Sequence, residues 1–248
     1  MHALSLITLP AQTPIPPQGY DGYAFGSCGA PAHLEVFLDL VCSDCKAIWP
    51  TVERVADAYG PAALELTVHT FPLPYHTWAF HAGQSLHAIA AHNRSAVLPW
   101  VRLVFANQEK FLNSPRLDHE SVSAGLDALA AAGGLLSKGT MSRQLSNATL
   151  NEATRVSWKY GASRGVSGTP SFLLNGVNLN ADPTWDVTQW KQVIDPVIHP
   201  PARVSTAVVE APAPATCKNG TTTCEYLPNK IECCTPGEFC IPNVGCRC

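Results

Sequence analysis

Charge is scarce in this chain. Only 14% of its 248 residues are charged, and the formal net charge is −3. No long run of Lys or Arg occurs, which argues against nucleic acid and anionic membranes as main partners. No stretch approaches the about eighteen apolar residues that mark a transmembrane helix, so no membrane span is expected. The glycine turns lack phosphate-binding spacing, and neither GxSxG nor HExxH is present. No coiled-coil repeat or dimer stripe appears, so the pattern leaves the oligomeric state open. What is there is globular in composition, with 46% hydrophobic residues. The length suits one sizeable domain plus an appendage.

Cysteine is plentiful and unevenly spread. Seven of the ten fall at the end of the chain: Cys217, Cys224, Cys233, Cys234, Cys240, Cys246 and Cys248. Such density in a short segment points to a disulfide scaffold formed in an oxidising compartment. Sequons at Asn93, Asn147 and Asn219 agree with secretion but carry little weight. Leu4 to Leu9 is a short apolar patch without a basic start, too weak for a signal peptide. A lost leader and an intracellular chain both stay open, and cysteine usage favours the secretory pathway or exterior. Cys28 is the odd cysteine outside the tail. A bridge from it to one tail cysteine would leave six tail cysteines in three pairs, an expectation from parity alone.

The remaining two cysteines form Cys42-Ser43-Asp44-Cys45, at the end of the apolar run Leu34 to Val41. A helical pattern follows at once. A helix N-terminus offers unpaired N–H groups and partial positive charge, and both favour a thiolate. A redox dithiol is the favoured reading. The alternatives are a structural disulfide or half of a zinc site. Zinc needs two further ligands, and only tail cysteines beyond a linker could supply them. His76, His81, His87 and His92 are spaced five, six and five apart, which does not stack ligands on one helix face. They read as ordinary surface or core histidines. The six tryptophans read as core, with Trp49 also able to border an active-site surface.

Residues 1–30 are rich in Pro and Gly and read as an extended lead-in. Leu34 to Val41 reads as a buried strand. Ser43 to Tyr59 reads as a helix kinked by Pro50 and ended by Gly60-Pro61. A second strand covers Leu64 to Phe71, and the crossover length fits a parallel βαβ unit. About 76–160 reads as three or four inserted helices, with breaks near Asn93-Arg94, Asn113-Ser114-Pro115 and Gly133-Gly134. The last, about Ser142 to Tyr160, would be capped by Gly161. Ser171 to Leu174 and Val177 to Leu179 read as a hairpin about Asn175-Gly176. Asp182-Pro183 reads as the start of a final helix, whose last turn Pro196 disturbs. Residues 199–216 form a Pro/Ala-rich linker, and 217–248 a module that burial alone cannot hold.

This order resembles the DsbA-like form of the thioredoxin fold. Three features carry the resemblance: the Cys42–Cys45 pair after a buried strand, Pro50 five residues later, and Val166-Ser167-Gly168-Thr169-Pro170-Ser171-Phe172. It covers about Pro31 to Ile198 and excludes the tail. It implies an α/β fold, with a thioredoxin-like core, an inserted helical domain and a small disulfide-rich C-terminal module. It implies a thiol–disulfide oxidoreductase acting on cysteine-bearing proteins or peptides, with no metal or organic cofactor. Cys42 would be the nucleophile and Cys45 the resolving thiol. Pro170 would be cis, and it and Thr169 would position an extended substrate.

The chain also departs from the family. Strong oxidants usually carry Pro-His between the cysteines, where this chain has Ser43 and Asp44. Asp44 should disfavour the Cys42 thiolate, and a milder couple is expected. Lys46 is the only cation nearby in sequence and follows the wrong cysteine. The family's buried acid six residues before the first cysteine is Val36 here. Asp39 is left as a candidate proton relay. A second class stays open: a non-catalytic thioredoxin-like protein whose cysteine-rich tail recognises a protein or glycan.

Overall fold

A computed structural model describes residues 21–111, 116–200, 217, 220–227, 230–241 and 245–247. Most of the expected lead-in and linker, the Asn113 break, Asn219 and Cys248 lie outside them. Among these described residues there are nine strands: β1 Tyr23–Phe25, β2 Ala32–Leu38, β3 Leu64–Thr70, β4 Ser171–Leu174, β5 Val177–Leu179, β6 Thr222–Leu227, β7 Lys230–Cys234, β8 Phe239–Ile241 and β9 Gly245–Arg247. Seven α-helices accompany them: α1 Ser43–Tyr59, α2 Ala79–His92, α3 Val97–Phe111, α4 His119–Ala132, α5 Thr140–Leu145, α6 Ala148–Ser163 and α7 Val187–Ile198. The first five strands form one sheet in the order β1-β3-β2-β4-β5. β2 and β3 run the same way, because Ala32 N–H meets Ala63 O at one end and Phe71 N–H meets Leu38 O at the other. The α/β thioredoxin-like class is therefore what the chain adopts. Among the described residues, no helix is long and apolar enough to cross a membrane.

Two units divide the chain. The first holds residues 21–23, 37–46 and 68–171. It contains α2 to α6 around Leu86, Trp100, Val104, Val122, Leu126 and Met141, all fully buried. Five α-helices and a 3-10 turn at Arg94–Ala96 occupy this stretch, where the periodicity suggests three or four helices. The expected helix near Ser142 is in fact two, because Asn147 caps a new one by accepting from Thr149 N–H at 2.9 Å. Gly161 does not end α6, which runs on to Ser163 with Arg164 as its C-cap. Gly161 serves close packing instead. A Cβ there would lie 2.6 Å from Phe71 Cδ2 and 3.2 Å from Phe37 Cδ1. Gly161→Ala should lower the denaturant midpoint by a net loss of up to about 2 kcal/mol. Overpacking costs about 1–3, and the gain in helix propensity offsets about 1.

The second unit holds residues 24–36, 47–67 and those from 172 on. Here α1 buries Ile48, Trp49, Val52 and Val55 on one stripe and runs unbroken through Pro50. Gly60, at φ +71°, ends it by donating to Ala56 O at 2.9 Å. Asn175 and Gly176 take φ of 48° and 75°, the left-handed pair that a two-residue hairpin needs. Asn175 Oδ1 also accepts from His33 N–H at 2.7 Å, which ties the turn to the start of β2. Asp182 does not start α7. Its carboxylate is taken by the N–H and hydroxyl of Thr184. Asp186 is the N-cap, and Gln189 completes a capping box. Trp190 is fully buried against Phe172, 4.8 Å between ring centroids.

The tail contains two antiparallel hairpins, β6–β7 and β8–β9. Among the described residues three disulfides join Cys217 to Cys233, Cys224 to Cys240 and Cys234 to Cys246. Cys28 is also disulfide-bonded. Gly29 lies beside the tail, since a Cβ on it would be 3.7 Å from Gly237 Cα. The module is thus strand-paired, and its cross-links hold what its small buried surface could not.

Candidate active site

β2 ends at Leu38, and the chain turns through Asp39, Leu40 and Val41 into α1. Cys42 sits at the helix start: its carbonyl accepts from Lys46 N–H at 3.2 Å, and its own N–H donates to Asp39 O at 3.1 Å. The turn is held from α3 by Gln108, whose Nε2 donates to Leu40 O at 2.8 Å. Cys42 and Cys45 are both free thiols. Cys42 keeps 6% of its surface exposed and Cys45 none. Cys42 Sγ faces the Thr169 carbonyl oxygen at 3.5 Å. The Thr169–Pro170 peptide bond is cis.

The two thiols are driven apart in acidity. The Cys42 thiol is lowered to about 6, first by a hydrogen bond from the Cys45 thiol and, against a desolvation cost, by the N–H groups of Cys45 and Asp44. Burial pushes the Cys45 thiol well up, and a negative Cys42 beside it pushes the same way. At neutral pH this leaves a thiolate at Cys42 and a protonated thiol at Cys45, the division of labour that thiol exchange uses.

Two neighbours differ from what their charges suggest. Asp44 is exposed, as is Ser43. Asp44 acts on Cys42 through its backbone N–H, not through its carboxylate, so the expected penalty on the thiolate is not what governs Cys42. Solvent screens an exposed carboxylate, while the amide points at the sulfur. Lys46 is engaged by Glu109, at 2.7 Å between Nζ and Oε1.

Asp39 is 1% exposed. Its Oδ1 accepts from Val41 N–H at 2.8 Å, and its Oδ2 from Leu73 N–H at 3.0 Å and His76 Nδ1 at 2.7 Å. Burial raises its pKa, against the pull of these donors. The acid thus clamps the turn before Cys42 to the loop after β3. Val36 is a fully buried apolar residue. His76 is the neighbour that spacing along the chain does not reveal. A parallel β2–β3 pair, however, places the segments following both strands side by side, and that pairing is the signal that would find it. Among the described residues, one cluster of metal-ligating atoms occurs, the sulfurs of Cys224, Cys234 and Cys246. Each is already in a disulfide, so none offers a thiolate to an ion.

Solved structures with this architecture share little sequence with the chain. A putative protein-disulfide isomerase from Pseudomonas syringae superposes with a TM-score of 0.61 at 18% identity, covering 70% of this chain and 98% of its own. A variant of alpha-DsbA1 from Wolbachia pipientis gives 0.60 at 16%, covering 76% and 94%. Oxidised BdbD from Bacillus subtilis gives 0.59 at 14%, covering 72% and 93%. These likenesses establish the DsbA-like fold. No curated protein matches the chain in sequence. The family model described as Thioredoxin matches residues 20–196, and by that match the chain belongs to the thioredoxin family.

Proposed function

We propose that this protein is a thiol–disulfide oxidoreductase that exchanges disulfides with cysteine-bearing proteins. The observation that carries the reading is the opposed acidity of Cys42 and Cys45 at one helix start, facing the Thr169 carbonyl. In the reducing direction the Cys42 thiolate attacks one sulfur of a substrate disulfide. A Cys42–substrate bond forms and the other substrate sulfur leaves as thiolate. Cys45 then loses its proton and attacks Cys42 Sγ. The Cys42–Cys45 disulfide forms, the second substrate thiolate leaves, and the substrate has gained two electrons. The oxidising direction is the same path reversed. Thr169 and Pro170 position the substrate backbone, and Ser43 and Asp44 contribute the exposed rim.

In this reading residues 31–198 carry the chemistry, with the helical insertion at about 76–160. Residues 199–216 are a linker, and 217–248 a stapled module. The three tail disulfides support an oxidising compartment, the secretory pathway or exterior. A thiol lowered to about 6 supports a couple milder than the strongest oxidants, whose reduced form is stabilised by a still more acidic thiol.

The test is a glutathione titration of the full chain, with Cys42→Ser as the blank, beside turnover of an insulin-type disulfide. A reversible couple within about −120 to −270 mV is expected, together with turnover. A pair that stays oxidised below about −300 mV is a structural disulfide and overturns the reading.

A further inference from the structure

The dithiol has a neighbour that thiol exchange does not itself require. A groove of about 450 Å³ lies in the first unit, between the loop that follows β3 and one face of α6. Leu73 and His76 line it from the loop, Phe80 from the start of α2, and Arg155, Trp158 and Lys159 from α6. Three observations give it a character.

The first is exposed aromatic surface. Trp158, in the groove wall, is 42% exposed, and Tyr75, in the adjoining loop but outside the lining, is 71% exposed. Trp158 is held by stacking on Phe71, with ring centroids 5.7 Å apart and planes 14° from parallel. Tyr75 stands edge-on to His76 at 4.9 Å. An aromatic ring fixed in place yet open to solvent is a common anchor for a partner chain.

The second is charge of one sign. The chain carries a net charge of −3, yet the groove is lined by Arg155 and Lys159 and by no carboxylate. The stretch from Phe71 to Phe80 also contains no Asp or Glu. Among the described residues no carboxylate pairs with Arg155 or Lys159. Arg155 Nε donates to Asn151 Oδ1 at 2.9 Å, which orients its guanidinium without neutralising it.

The third is continuity with the dithiol. Leu73 N–H and His76 Nδ1, both from groove-lining residues, bond to Asp39 Oδ2 at 3.0 and 2.7 Å. The Asp39 carbonyl accepts the Cys42 N–H at 3.1 Å. One buried acid therefore joins the groove wall to the nucleophile.

We infer that this groove docks the polypeptide that bears the reacting cysteines, and that it selects segments with an aromatic or branched apolar side chain flanked by carboxylates. The apolar side chain would lie against Trp158 and Phe80, and the carboxylates would meet Arg155 and Lys159. The groove acts on substrate choice and not on the sulfur chemistry. The inference deepens the exchange reading and rests on it for its purpose, but its binding step can be measured without any exchange.

The probes are two peptides of equal length and apolar content, one with Asp and Glu around a Phe and a Leu, the other with Lys in their place. Each is made with Ser for binding and with a disulfide-linked Cys for turnover. Calorimetry on the full chain should show the acidic Ser peptide bound at least tenfold more tightly than the basic one. That preference should shrink as salt rises from 0.05 to 0.5 M, a readout that needs no variant. In turnover, the ratio of kcat/KM for acidic over basic peptide should exceed ten in the wild type. It should fall near one in the double variant Arg155→Gln, Lys159→Gln. Trp158→Ala should weaken both Ser peptides.

Equal affinity for the two peptides overturns the inference. So does a preference that the double variant leaves intact, or a groove whose variants change only self-association in sedimentation. The two readings fail separately. Selective binding of the Ser peptide without turnover of either disulfide removes the exchange function and keeps the groove. Turnover without selectivity removes the groove and keeps the function.

Discussion

Cys42→Ser should lower disulfide exchange by about a thousandfold or more, because a hydroxyl is no nucleophile at neutral pH and cannot form the mixed disulfide. Cys45→Ser should behave differently. Its Cys42 still attacks, but nothing resolves the bond, so a covalent substrate adduct accumulates that is stable in non-reducing gels and released by dithiothreitol. The same asymmetry should show in alkylation. The Cys42 thiol is lowered to about 6, against 9.0 for an ordinary thiol on the same scale. Its reaction with iodoacetamide should therefore reach half its plateau near pH 6. At pH 7, ~90% of Cys42 would be thiolate against ~1% of an ordinary thiol. Thiolate reactivity falls with basicity, by roughly twentyfold over three units, so the net advantage at pH 7 is only about fourfold. Above about pH 8 the ordinary thiol should overtake it. Cys45 should not compete, since it is fully buried and its pKa is raised. Asp44→Asn should move the midpoint by less than about half a unit, because the exposed carboxylate is screened while the amide that faces the sulfur stays. A midpoint near 9, or equal labelling of both cysteines, would mean that the helix start does not hold a thiolate.

How far these features could be read in advance depended on their range along the chain. Helix α1 was legible to the residue, because an apolar stripe, a polar start and Gly60 all lie within one window. The Asn175-Gly176 hairpin was legible for the same reason. The α7 start differs from the Asp182 that the sequence suggests, although its signal is local. Asp182 and Asp186 each precede a Thr by two, and only Asp186 has a Gln three residues on to close the box. Strand β1 was missed because three residues among glycines show no period. The helix count falls short because only Ser146 and Asn147 separate α5 from α6, with no Gly or Pro to mark the break. In sequence Gly161 reads as punctuation, since nothing nearby along the chain reveals Phe37 and Phe71 against it. The site divides in the same way. The cysteine pair and Thr169-Pro170 are local patterns. The Asp39–His76 contact spans 37 positions and exists only because two parallel strands end side by side. Charge was the least legible of all, because a sequence does not say which way Asp44 or Lys46 points.

Asp21→Ala should cost about 3–5 kcal/mol, since it strips the charge from a buried polar chain and leaves its partners unpaired. At about 2–4 °C per kcal/mol for a chain of this size, the melting temperature should fall by roughly 6–20 °C. Asp21 is 6% exposed and sits at the start of the described chain. Its Oδ2 accepts from His69 Nδ1 at 2.9 Å, and its Oδ1 accepts from Ser157 Oγ. His87 continues the chain, with Nε2 3.2 Å from Ser157 Oγ and Nδ1 2.5 Å from Tyr23 OH. The donors can be assigned by following the protons. Ser157 gives its proton to Asp21, so its oxygen accepts from His87 Nε2–H, which also lies 3.4 Å from Thr70 Oγ1. A ring kept neutral by burial then accepts from Tyr23 at Nδ1. Burial lowers the His87 pKa to about 4, against a smaller opposing pull from Asp21. Linkage then sets the sign. Below about 6.5 the unfolded chain takes up a proton that the folded chain refuses, so stability falls as pH drops from about 6.5 to about 4. A shift of that size is worth about 3 kcal/mol from this one group. His87→Gln should lose stability at pH 7 but also lose that part of the acid slope, which the wild-type minus variant difference isolates from ordinary carboxylates. A difference that stays flat between pH 7 and 4.5 would mean that His87 takes its proton in the folded state. Tyr23 would then have to turn its hydroxyl and accept, and the order of donors along the chain would no longer hold at that end.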